Sequence, residues 1–323
     1  MKLLRILGLA AVVGLSGCDL EDFDPDGGGG GGAGGTFARG FVFVRGESAG
    51  TRNVYAVDDA GDPNSPLQLT TQGGALNPTV SRNGRLVAFV FRSGSTSELR
   101  TVPTTGQGQP STVFSSASTA CSGCGNFRFP TFSPNGSIIA FTLDQGGYAK
   151  LARVNADGSG FQIINTGGFY HFGPSAFTAD ALGLIAARGT NASLLDTLTY
   201  VNLMTGRSDV ISNLGSEGAQ VVGSRVTVSP DGRKVAFDAR TSSGSRIFVG
   251  TLDGQQQLYD VNQVTAGPAQ DTYPSWRGNT ELGFISNDGG RDNVYRISAS
   301  SVRGSGNLVL VVPIAMEAAY GGT

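Results

Sequence analysis

Histidine is almost missing from this chain: His171 is the one copy in 323 residues. A metal site built from several imidazoles is therefore excluded, and any serine nucleophile would have a single base to draw on. Cysteine is nearly as scarce, with Cys18, Cys121 and Cys124. Cys121-Ser122-Gly123-Cys124 has no following His, which excludes haem attachment. A zinc site needs about four ligands, and the one imidazole lies 47 residues beyond Cys124. Charged residues make up 15% of the chain, against about 25% in ordinary domains. The formal charge is −2, so the strongly basic surface that bulk nucleic-acid binding requires is lacking. Windows with a sustained helical period free of Gly or Pro are also lacking, which excludes helical solenoids.

What the chain has is glycine, 50 copies, and a repeat. Residues 226 to 254 read as short strands joined by tight turns. Ser229-Pro230-Asp231-Gly232 carries the residues that a type I turn asks for at its four positions. Val226 and Val228 alternate with Thr227 before it, and Val235-Ala236-Phe237 follows. A polar loop, Ile247-Phe248-Val249 and a second turn at Asp253-Gly254 complete the unit. Counterparts of Ser229 stand at Ser81, Ser133, Thr178 and Arg277, giving spacings of 52, 45, 51 and 48 residues. A further unit keeps FVFV at 41 to 44 and NVYAV at 53 to 57 but has no opening turn. Six units of about 48 residues fit the length of a four-stranded propeller blade.

The Ser-Pro-Asp/Asn-Gly turn, the Ile/Val-Ala-Phe strand and the later Asp-Gly turn resemble the TolB-like propeller repeat family over most of residues 41 to 300. The expected fold is all-β: a six-bladed β-propeller of roughly four-stranded antiparallel blades. Blades should start near 37, 77, 129, 174, 225 and 273. The first lacks its opening strand, so NLVLVV at 307 to 312 or PIAMEAA at 313 to 319 is expected to close the ring and remove exposed edges. The resemblance implies a non-catalytic, protein-binding module of the cell envelope. The chain departs from that family in showing no additional N-terminal α/β domain and in carrying a lipid box.

That box is Leu15-Ser16-Gly17-Cys18, after the basic Lys2 and Arg5 and an apolar run from Ile6 to Leu15 that is too short to span a bilayer. Residues 1–17 read as a lipoprotein signal peptide, with Cys18 as the lipidated N-terminus. Cleavage there removes Lys2 and Arg5 and leaves 21 basic against 25 acidic residues, a net of −4. Residues 18–36 hold five acids and GGGGGGAGG, a flexible tether reaching roughly 20 to 25 Å. Residues 37–323 form the propeller. The protein is expected to be a monomer, held at a membrane through its N-terminal lipid and facing the periplasm or the cell surface, with the inner and outer membranes both open. Its partner is expected to be an envelope protein.

Cys121 and Cys124 read as a small disulfide ring in an exported protein, with a thiol redox role as the alternative. Gly46-Glu47-Ser48-Ala49-Gly50 matches the esterase pattern by letter but lies in a hairpin loop, with no strand-turn-helix elbow. No catalytic residue, metal ligand or cofactor is expected. Trp276 takes the position of Phe132 in the repeat and should pack between blades. The tight turns should gather on one rim of the ring and the longer, irregular segments on the other: 45 to 53, 92 to 98, 115 to 127, 165 to 173, 188 to 196, 212 to 224 and 265 to 273. Arg45, Arg92, Arg188 and Arg240 end second strands on that loop rim, beside Tyr170 and His171. They form either a positively charged, partner-binding mouth, or solvated strand ends, or partners of the nearby Asp144, Asp196 and Asp288. The competing functional classes are a propeller hydrolase or lyase, and a channel that binds a small ligand or glycan, for which Tyr148, Phe169 and Tyr170 are suitable aromatics.

Overall fold

A computed structural model of the protein describes residues 37–322. The expected signal peptide, lipidated Cys18 and tether lie outside the described residues. Twenty-four strands form six four-stranded antiparallel sheets. The first sheet holds β1 (Gly40–Arg45), β2 (Asn53–Asp58) and β3 (Leu67–Gln68). The second is β4 (Ala75–Val80), β5 (Leu86–Ser93), β6 (Thr96–Pro103) and β7 (Ser111–Ser115). The third is β8 (Cys124–Phe132), β9 (Ile138–Gln145), β10 (Tyr148–Asn155) and β11 (Gln162–Ile163). The fourth is β12 (His171–Phe177), β13 (Gly183–Gly189), β14 (Thr197–Asn202) and β15 (Ser208–Asn213). The fifth is β16 (Val221–Val228), β17 (Lys234–Thr241), β18 (Gly244–Leu252) and β19 (Leu258–Gln263). The sixth is β20 (Asp271–Arg277), β21 (Glu281–Ser286), β22 (Asn293–Ser298) and β23 (Val309–Val312).

The last strand, β24 (Met316–Gly321), pairs with β1 and supplies the missing opening strand of blade one. Of the two expected closing segments, the later one closes the ring; residues 309–312 of the earlier one form the outer strand of blade six. The opening strands β4, β8, β12, β16, β20 and β24 contact one another in sequence around the ring and line its channel.

Each blade is apolar on both faces of its inner strands, so its side chains are buried only against the next blade. Six core clusters result, one at each seam between neighbouring blades. Trp276 is buried at the seam of blades five and six, and its indole Nε1 donates to the carbonyl of Thr227 on the neighbouring strand at 3.2 Å. A buried indole needs such an acceptor.

The repeated turn is held the same way in four blades. Ser229 Oγ donates to Asp231 Oδ1 at 2.6 Å and accepts from Lys234 N at 2.9 Å, while Gly232 N closes on Ser229 O at 2.8 Å. Gly232 has φ 74°, which glycine adopts without strain. These turns lie on one rim, the turn rim. The expected division of loop lengths is corrected in part. Residues 92 to 98 form a tight hairpin, since β5 ends at Ser93 and β6 begins at Thr96. The turn rim carries long connections of its own, from Asp58 to Leu67 and from Ser298 to Val309. Short outer strands that begin late cause this, because the chain must travel further before pairing resumes.

Candidate functional site

Every inner strand bulges midway, with extra residues facing one residue of its neighbour. Asn77-Pro78 oppose Phe89, Phe129-Pro130 oppose Phe141, Gly173-Pro174 oppose Ala187, and Tyr273-Pro274 oppose Phe284. Glu317-Ala318 oppose Phe43. Proline suits the second bulge position because no ladder hydrogen bond is made there. Asn77, Phe129, Tyr273 and Glu317 all adopt left-handed φ, between 48° and 54°. Such conformations cost of order 1 kcal/mol or more each for non-glycine residues.

Blade five differs. Gly223, Ser224 and Arg225 all oppose Asp238, and no proline is present. The backbone N–H groups of Ser224 and Arg225 therefore need an acceptor, and buried Asp238 provides it through both carboxylate oxygens at 2.8 and 2.7 Å. Gly223 is required there, since a Cβ would sit 2.1 Å from Asp238 Oδ2. Arg225 reaches across the channel. Its Nη1 donates to Ala318 O at 2.7 Å and its Nη2 to Pro78 O at 2.9 Å, tying blade five to blades one and two. The guanidinium carbon lies 5.4 Å from the centre of the Tyr273 ring. Beside it, Glu317 accepts from Arg52 Nη1 at 2.9 Å and from the backbone and side-chain amides of Asn77.

Burial sets the electrostatics of this brace. It pushes the Asp238 carboxyl up to about 6, although the backbone N–H groups of Ser224, Arg225 and Tyr273 and the Arg225 charge favour its charged form. Burial also lowers the Arg225 pKa and raises that of Tyr273.

On the turn-rim side of the brace, all six blades contribute to a cavity of about 190 Å³. Thr79, Arg82, Phe132, Pro230, Trp276 and Tyr320 are among its walls. Arg225 lines it too and, lying at the bulge, is among its deepest residues.

The four expected arginines do lie at loop-rim ends of second strands, one strand back from the channel-lining strands. Arg45 is committed to the carbonyls of Ile314 and Pro313 at 2.6 and 2.8 Å, bracing the approach to β24. Arg188 lies 4.3 Å over the ring of half-buried Tyr170. Arg92 and Arg240 are exposed. Asp144 forms its ion pair with Arg128, while Arg92 feels the charges of Arg128, Asp144 and Glu317. His171 opens β12, where its Nδ1 accepts from Ala149 N at 3.3 Å; its ring lies 5.1 Å from Tyr148, which lies 5.8 Å from Phe169. Ser48 stands in the β1–β2 loop of blade one with Oγ 3.3 Å from Thr51 Oγ1, while His171 is in blade four. Cys121 and Cys124 are joined as a disulfide. Among the described residues, no group of three or more His, Cys, Asp or Glu side chains is placed to hold a metal ion.

Sequence reasoning did not find Arg225, Asp238, Tyr273, Asn77 or Glu317. A signal existed: an X-Pro pair precedes the turns at Ser81, Ser133, Thr178 and Arg277, and Ser224-Arg225 replaces it before Ser229.

Fold and channel together define a closed six-bladed propeller with a polar cross-brace under a walled mouth. Solved structures share this fold. TolB from Acinetobacter baumannii matches 90% of this chain and 68% of its own, at 17% identity and a TM-score of 0.66. A TolB candidate from Agrobacterium tumefaciens matches 85% and 89%, at 14% identity and 0.58. A prolyl endopeptidase matches 75% of this chain and 35% of its own, at 18% identity and 0.50. The fold is thus a TolB-like β-propeller. No protein-family model and no curated protein matches the chain.

Proposed function

We propose that this protein is a non-enzymatic, protein-binding propeller of the bacterial cell envelope, carried on a lipid at Cys18. The observation that carries the reading is the mouth cavity, which all six blades build and Arg225 floors. A rigid scaffold presenting a concave, mixed polar and apolar mouth suits a projecting segment of a partner. The likeness to two TolB structures supports the same class of role. The channel's ionisable groups are engaged in bracing: Arg225 holds two carbonyls, Asp238 two amides, and Glu317 an arginine and an asparagine. Chemistry would need a nucleophile and base in mutual reach, which this arrangement does not offer. Among the described residues no helix is long and apolar enough to cross a membrane; attachment is assigned to the lipid alone.

The test is site-specific photocrosslinking of the full chain in its native envelope. A photoreactive residue replacing Arg82 at the mouth should capture a discrete protein partner, and one replacing Arg240 on the opposite rim should not. Capture from position 240 only would refute the mouth as the binding site.

A further inference from the structure

The hydrogen-bonded turn does not need a charged residue. In blades two and three an asparagine fills it: Ser81 Oγ and Arg85 N donate to Asn83 Oδ1, and Ser133 Oγ and Ser137 N donate to Asn135 Oδ1. In blades four and five an aspartate makes the same bonds with Oδ1 alone. Thr178 Oγ1 and Leu182 N donate to Asp180, and Ser229 Oγ and Arg233 N donate to Asp231. Asp253, in the β18–β19 turn, likewise accepts from Gln255 N and Gln257 N through Oδ1. Among the described residues no hydrogen bond or ion pair reaches the Oδ2 atoms of these three aspartates.

All three line one groove at the seam of blades four and five on the turn rim, opposed there by a single cation, Arg233. Gln256 lines it too, and its Oε1 is buried without a hydrogen-bond partner. The groove thus sets three carboxylates and an unpartnered carbonyl against one guanidinium. Tyr259, 47% exposed, adds an aromatic wall. Beside it, blade four's turn carries Ala181-Leu182 where the others carry Gly followed by Arg or Ser, so Leu182 stands 59% exposed. Leu203 N donates to Leu182 O, which sets Met204, 90% exposed, close by.

We propose that this seam is a docking groove for an extended segment of a partner protein that carries lysine or arginine next to an aliphatic residue. The basic side chain would meet the three spare carboxylate oxygens and the Gln256 carbonyl, and the aliphatic one would cover Leu182 and Met204. The inference rests on the protein-binding reading, yet the groove is separate from the mouth except for shared Ala179, so either can fail alone.

The test uses the full chain and two labelled short peptides, one alternating leucine with lysine and one alternating leucine with glutamate, read by fluorescence anisotropy. The lysine peptide should bind and the glutamate peptide should not. Asp180→Asn with Asp231→Asn should weaken binding about tenfold while leaving the melting temperature and crosslinking from position 82 unchanged, because asparagine already serves in the sister turns. Leu182→Ser should weaken binding about threefold. Equal binding of the two peptides, no binding of either, or unchanged affinity in the double variant would overturn the proposal. So would stabilisation by calcium alone, or a dimer of this chain, that the double variant abolishes, since the groove would then hold an ion or a second copy.

Discussion

Arg225 occupies the bulge position that four of the other five inner strands fill with proline. That single exchange obliges a buried carboxylate to exist, because it introduces an N–H with no ladder partner. Arg225→Met would leave the carbonyls of Pro78 and Ala318 without donors and Asp238 without its counter-charge. A loss of about 3 kcal/mol is expected, read as a lower denaturant midpoint at unchanged slope. Asp238 makes the fold pH-sensitive. Its carboxyl titrates near 3.8 when unfolded and near 6 when folded. Below 3.8 both states are protonated and nothing is lost. As pH rises from there to about 6 the unfolded chain ionises first, so this residue's share of stability falls, by up to about 3 kcal/mol, and then levels off. Asp238→Asn should flatten stability measured across that window. The missing X-Pro pair marks the position in the sequence, but not what it does, since Arg225-Val226-Thr227-Val228 reads as an ordinary alternating strand. The residue's meaning depends on carbonyls 93 and 147 positions away.

The turns were the most legible elements. Ser-Pro-Asp/Asn-Gly is read locally, and the bonds that close the turn stay within five residues, so no tertiary knowledge is needed to place it. The seam position of Trp276 followed from its register in the repeat. Which rim a connection lies on was legible too, since it follows from strand alternation. How far each connection runs was not, because that depends on where the outer strand begins, and strands as short as β3 and β11 leave little trace. The closing strand could be narrowed to two neighbouring segments; both are short and apolar, and only pairing with β1 separates them. Trp276→Phe keeps the ring packing but loses the bond to Thr227 O, and is expected to cost about 1 kcal/mol, measured by thermal unfolding.

At the scale of the ring, blade number was readable from repeat spacing alone, while the contents of the channel were not, since the brace joins residues from four blades. The six seam clusters give each blade two neighbours and no independent core. The ring should therefore unfold as one unit. The single tryptophan makes this testable: its fluorescence reports the seam of blades five and six, and far-UV circular dichroism reports all the strands. Coincident midpoints are expected; separated ones would mean that some blades melt alone.

Joining β24 to β1 has an outcome during biosynthesis. The first blade to be made waits for the last stretch of chain before it can be completed, so for most of its emergence the nascent protein carries an unfinished sheet at its leading end. A stop codon near residue 310 would therefore injure the oldest part of the molecule, and a holding chaperone should matter most at the moment just before release.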